Sequence, residues 1–129
     1  MRIVLDTSAL FYPRALASLR SDHPGAEPVI PTVVLLERAR QLSRAGLDGA
    51  GEMRAFVERG GLTLEAFGPE QALRSHQRAP RDDRLWARAG RDAIIAGHVA
   101  EGDVLWTANA RDFLDLGLAR EQVLDVRGL

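Results

Sequence analysis

The sequence contains no cysteine, which excludes disulfides, thiolate metal sites and a cysteine nucleophile. It contains no lysine either. All 17 basic residues are arginine, so any phosphate contact falls to a planar, bidentate guanidinium. No apolar run approaches the ~20 residues that span a bilayer. The opening MRIVLD meets an acid after three apolar residues and is not expected to act as a signal peptide. A net charge of −1 gives the whole molecule no bias toward nucleic acid, so attraction for phosphate has to be local. Neither a P-loop nor a G-x-G-x-x-G follows the first apolar run, which removes the common nucleotide-binding folds. Repeats, low-complexity tracts and linkers are also missing.

What is present fits one soluble, cytoplasmic domain over residues 1–129, with 46% apolar and 27% charged residues. Residues 2–5 (RIVL) read as a short buried strand halted by Asp6 and Thr7. A helix from Ser8 to Leu19, disturbed at Pro13, follows, then a strand at 28–30. Thr32 is placed to cap a helix through VVLLERARQL. Gly46 to Gly51 reads as loop, 52–59 as helix and 62–67 as strand. Gly68-Pro69 opens a helix that Pro80 ends. Residues 92–101 read as helix, 104–107 as strand, 112–116 as a short helix and 123–126 as a last strand. Strands alternating with helices imply an α/β fold, a parallel sheet covered on both faces. In such sheets ligands bind beyond the carboxyl ends of the strands, where Asp6 and Asn109 both fall.

Carboxylates interrupt apolar faces at several points along this pattern. Asp6 follows the first strand, and by itself it serves equally well as a helix cap. Glu37 shares a helix face with Val33 and Val34, four and three residues earlier. An inward carboxylate there needs a partner, and Arg38 and Arg40 look turned toward solvent. Asp92 starts the apolar stripe continued by Ile95, Ala96 and Val99, although an acid in a first helical turn also complements the macrodipole. TANARDF adds Thr107, Asn109 and Asp112, where Asn109 suits a left-handed loop position and Asp112 a helix start. Each residue has an ordinary structural use. Their joint placement at the cleft edge of a small α/β unit does not.

Clustered carboxylates raise one another's pKa values and destabilise a fold unless a cation neutralises them. Oxygen-only ligands favour Mg²⁺ or Mn²⁺ over zinc, and these ions carry metal-assisted phosphodiester hydrolysis. Arg81, Arg84, Arg88 and Arg91 recur at spacings of three, four and three, a single stripe on a helix leading to Asp92. That stripe serves either as a solvated face paired with Asp82 and Asp83 or as a rail for an RNA backbone. Trp86 and Trp106 sit in apolar company and read as core. Phosphatases with an aspartyl nucleophile share the strand–Asp start. They use a second Asp where this chain has Ser8, and a lysine it lacks.

MRIVLDTSALF, PTVVLLERARQL and RDAIIAGHVAEGDVLWTANARDF resemble, in order, the three signature blocks of the PIN-domain ribonucleases. Short single-domain members such as the VapC-type toxins of toxin–antitoxin pairs are the nearest in pattern, and the resemblance spans nearly the whole chain. It implies a three-layer α/β/α fold with a central parallel five-stranded sheet and Mg²⁺- or Mn²⁺-dependent endoribonuclease activity, with one or two ions per site. It also implies a homodimer and inhibition by a small antitoxin protein. By position, Asp6, Glu37 and Asp92 correspond to the family's three core metal-binding acids, with Asp112, or else Asn109, as the fourth. Thr7, Ser8 and Thr107 are expected as supporting polar groups. The chain departs from the family at Gly97-His98, where a second small residue is common and where His98 is expected to be exposed on a helix. An RNA- or protein-binding module without catalysis is the alternative reading.

Overall fold

A computed structural model describes all 129 residues. Five strands form one parallel sheet: β1 (Arg2–Leu5), β2 (Glu27–Pro31), β3 (Thr63–Glu65), β4 (Val104–Thr107) and β5 (Val123–Asp125), in the order β3-β2-β1-β4-β5. Six α-helices flank it: α1 (Pro13–Ser21), α2 (Thr32–Arg44), α3 (Gly49–Gly60), α4 (Pro69–Arg78), α5 (Asp83–Ala96) and α6 (Ala110–Asp115). This is the three-layer α/β/α arrangement expected from the alternation of elements. No helix is long and apolar enough to cross a membrane.

The central strands are apolar because helices cover both of their faces. Ile3, Val4, Leu5, Val29, Ile30 and Leu105 are all fully buried, and Trp106 is nearly so. Val4 pairs with Val29 on one side and Leu105 on the other, and Leu5 pairs with Trp106. The chain runs outward from β1 through β2 to β3, then returns to the opposite side of β1 for β4 and β5. The sense of winding therefore reverses between β1 and β4. Crevices at such reversals are where open α/β sheets bind ligands.

Several elements differ from the sequence reading for identifiable reasons. Residues 7–11 form a 3-10 turn, and α1 begins at Pro13, whose fixed φ suits a first helical position. Thr32 is the first residue of α2 and caps nothing, since the cap position is Pro31. α3 starts at Gly49 because Asp48 caps it, accepting from the Gly51 amide at 3.1 Å. α5 begins nine residues before Asp92, capped by Asp82, and ends at Ala96, so Val99 extends the apolar stripe from outside the helix. Arg81 lies before this helix and so outside the stripe.

His98, expected to be exposed, is fully buried and outside any helix. Its Nδ1 stands 2.8 Å from Glu65 Oε1, and Glu65 also takes Arg2 and Gln71 as partners. Burial pushes the His98 pKa down, only partly opposed by Glu65. Burial alone would raise the Glu65 pKa, but the His98 hydrogen bond, Arg2 and Gln71 outweigh it and hold the pKa low. Trp106 is core as expected, whereas Trp86 is 43% exposed, its ring close beside Gly90 on α5.

Candidate active site

Asp6 is the first residue beyond β1 and is 4% exposed. Its amide donates to the Trp106 carbonyl at 3.0 Å, so the β1–β4 ladder runs up to the carboxylate itself. One carboxylate oxygen, Oδ1, accepts from the Thr7 amide at 2.8 Å. The other, Oδ2, accepts from Ser8 Oγ at 2.7 Å and Thr107 Oγ1 at 2.8 Å. The two hydroxyls are in turn fixed by backbone: Ser8 Oγ accepts from the Ala108 amide and Thr107 Oγ1 from the Asn109 amide, both at 2.9 Å. Asp6 is thus a helix cap and also a buried, oriented acid. Ser8 and Thr107, expected as supporting polar groups, both hydrogen-bond the Asp6 carboxylate. Thr7 contributes its amide, while its buried Oγ1 has no partner.

Glu37 reaches the same crevice from α2. Its Oε2 accepts from Arg91 Nη1 at 2.6 Å, and its Oε1 is buried with no hydrogen-bond partner. The partner supplied across the crevice is therefore Arg91 of α5, not the neighbouring arginines. Arg38 instead lies over the Phe11 ring, 4.3 Å from its centroid, and Arg40 is exposed.

Asp92 sits on α5 immediately after Arg91, half-buried and without a side-chain hydrogen bond among those of the chain. Its pKa is pushed up to about 6, first by burial, then by the charges of Asp6 and Asp112, with Glu37 adding to them against the opposing pull of Arg91. The acidic charges that act on Asp92 thus come from three other segments of the chain.

Two adjoining hollows hold these groups. The first, about 340 Å³, is lined by Asp6, Glu37, Asp92 and Asn109 together with Arg88 and Arg91. The second, about 980 Å³, is lined by Asp92, Asp112, Arg81 and Arg88. Arg88 and Asp92 belong to both, so the hollows form one groove with Asp92 at its middle. Asn109 therefore stands with the first three acids, and Asp112 on the far side of Asp92. Asn109 is not left-handed: its φ is −121° at the start of α6. Arg84, though on the same helix face, lines neither hollow. Arg81, Arg84 and Arg88 make no ion pair with Asp82 or Asp83, whose nearest role is Asp82 capping the helix.

The donor set fits a hard divalent ion. It consists of oxygens, with an orphaned carboxylate oxygen on Glu37, an orphaned hydroxyl on Thr7 and a mutually repelling Asp92. No three acids stand close enough to enclose an ion as they are, since Glu37 is turned to Arg91 and Asp112 lies one hollow away. Sequence reasoning singled out Asp6, Glu37, Asp92 and Asp112, but not Asp82 and Asp115, which also line the second hollow, and it missed the Arg91–Glu37 bridge. The spacing of residues 37 and 91 carries no local signal for it.

The sheet order, the covering helices and an acidic edge at the β1/β4 reversal define a PIN-like α/β/α fold. Solved structures agree. A chain of the VapBC-1 structure from nontypeable Haemophilus influenzae superposes with a TM-score of 0.73 at 18% identity, covering 98% of this chain and 99% of that one. A chain of DNA-bound VapBC from Salmonella typhimurium gives 0.68 at 21% identity, with 98% of each chain covered. One from VapBC2 of Rickettsia felis, bound to a fragment of its promoter DNA, gives 0.67 at 18% identity over 88% of this chain and 92% of that one. No protein-family profile and no curated protein sequence matches this chain.

Proposed function

We propose that this protein is a divalent-metal-dependent endoribonuclease, the toxin of a toxin–antitoxin pair acting in the cytoplasm. The observation that carries the reading is that Asp6, Glu37, Asp92 and Asp112 all line one groove, where a single ion pair, Arg91 to Glu37, reaches them. The full-length similarity to chains of VapBC complexes supports the toxin assignment and a small antitoxin as partner. The homodimer implied by the family resemblance belongs to the same reading.

In this reading Asp6, Asp92 and either Asp112 or Asn109 hold one or two Mg²⁺ or Mn²⁺ ions. Bound there, the ion supplies Lewis-acid polarisation of the scissile phosphate and a ready source of hydroxide. The remaining work falls to the chain. Ser8 and Thr107 lock the Asp6 carboxylate in one orientation. Glu37 Oε1, which has no partner in the chain, accepts the proton of the attacking water. Arg88, free of acidic partners and lining both hollows, meets the flanking phosphates, with Arg81 farther along the groove. Cleavage leaves a 5′-phosphate and a 3′-hydroxyl.

The test is incubation of the protein and its Asp6→Asn/Asp92→Asn double variant with mixed structured RNAs, in Mn²⁺ or EDTA. Cleavage by the wild type in Mn²⁺ alone is the expected result. A Mn²⁺-dependent thermal shift with no RNA cut would move the assignment to a PIN-like binding module.

A further inference from the structure

Arg91 occupies an unusual place for the only arginine bonded to the acidic groove. Its side chain is 67% exposed, while its partner Glu37 is 15% exposed. Packing therefore does not hold the guanidinium; charge does. The bond to Glu37 Oε2 is short, at 2.6 Å, yet it leaves Oε1 unsatisfied. One bonded guanidinium thus neutralises the Asp6, Glu37 and Asp92 hollow incompletely, and does so from its mouth.

We propose that Arg91 is the internal counter-ion of the metal-free groove, displaced from Glu37 when a divalent cation binds and then turned onto the substrate phosphate. The inference rests on the metal-dependent nuclease reading. A divalent ion brings twice the charge of Arg91 to the same carboxylates and repels the guanidinium. A side chain so exposed leaves at little packing cost, because ion pairs at this exposure are weak against water. Released, it stands beside Arg88 at the lip of the hollow, where a planar guanidinium offers two parallel donors to a phosphate. Glu37 gains its freedom in the same step. Metal and RNA binding are then coupled: each favours the state in which Arg91 has left Glu37, so each tightens the other.

The experiment is a calorimetric titration with Mn²⁺ alone, without RNA, on the wild type, Arg91→Ala, Arg91→Gln and Arg88→Ala. Arg88 lines the same hollow but bonds to no acid, so its variant measures the general effect of removing one positive charge. Removing Arg91 is expected to tighten Mn²⁺ binding by roughly tenfold, equivalent to about 1.4 kcal/mol, and to lower the melting temperature of the metal-free protein. Arg88→Ala is expected to change Mn²⁺ affinity far less. In a Glu37→Gln background the Arg91→Ala effect should vanish. Equal effects at Arg88 and Arg91, or weaker Mn²⁺ binding by both Arg91 variants, would overturn the exchange while leaving the metal site standing. A folded wild type that takes up no Mn²⁺ would instead remove the nuclease reading itself.

Discussion

Replacing Asp92 with asparagine should stabilise the metal-free protein. Asp92 is half-buried, forms no side-chain hydrogen bond in the chain, and faces the charges of Asp6, Asp112 and Glu37. Its pKa rises from the ordinary 3.8 to about 6. The folded state therefore holds its proton more tightly than the unfolded chain does. It follows that stability is unaffected by this group below about pH 4, falls as pH rises through the interval up to about 6, and stays reduced above it. At 1.36 kcal/mol per pKa unit the ceiling is about 3 kcal/mol, and solvent screening at a half-exposed site brings this to about 1–2 kcal/mol. Asparagine keeps the shape and abolishes the charge. In EDTA at pH 7.5, Asp92→Asn should melt roughly 4–8 °C above the wild type, and the difference should shrink toward zero at pH 4. Differential scanning calorimetry across that range is the assay. In Mn²⁺ the order should narrow or reverse, because the wild type gains the ion's binding energy and the variant loses a ligand. A variant no more stable than the wild type in EDTA would refute the claim that Asp92 bears uncompensated repulsion.

Four other outcomes follow from the same geometry. Thr107→Val removes one of two hydroxyl donors to Asp6 Oδ2, and urea unfolding should show a loss of about 1.5–3 kcal/mol, the usual range for a hydrogen bond to a charged group. Gly97→Ala should destabilise more severely, because a Cβ there would overlap Ser75 Oγ and the Gln71 carbonyl where α4 crosses the end of α5; failure of soluble expression, or a melting point lowered by many degrees, would be the sign. Acidification below pH 6.5 should weaken the fold through His98, whose burial keeps it neutral in the native state while the unfolded chain takes up a proton; His98→Asn, which cannot titrate, should flatten that limb of the stability–pH curve. Arg81→Ala and Arg88→Ala should each reduce the slope of log affinity for single-stranded RNA against log salt by about 0.7, whereas Arg84→Ala, which lines neither hollow, should leave the slope unchanged.

The fold was legible because its signals are local. RIVL followed by Asp6, and VLWT followed by Ala108 and Asn109, announce strands that end at a polar edge, and the observed β1 and β4 have the bounds read from them. The acids were legible as interruptions of apolar stripes, Glu37 against Val33 and Val34 and Asp92 against Ile95 and Ala96. What stayed hidden depends on contacts distant in sequence. Nothing near residue 91 announces Glu37 as its partner, 54 positions away. Nothing near residue 98 announces that the chain leaves α5 at Gly97 and drops His98 beneath Glu65. Trp86 was misjudged because the hollow it lines with Phe67, Ala79 and Ile94 leaves it 43% exposed, which its apolar sequence neighbours do not reveal. Periodicity finds a stripe without saying what lies opposite.

The strand order also bears on how the molecule is born. β1 leads into Asp6, yet the strand that flanks it at the acidic edge is β4, which begins about a hundred residues later. A ribosome releasing the chain from its N-terminus therefore exposes β1, β2 and β3 long before residues 104–112 can supply Thr107, Asn109 and Asp112. Until then Asp6 has neither its Trp106 ladder bond nor its Thr107 hydroxyl. The acidic groove is therefore not assembled on the nascent polypeptide, and it arrives abruptly, in one docking step, when β4 joins β1.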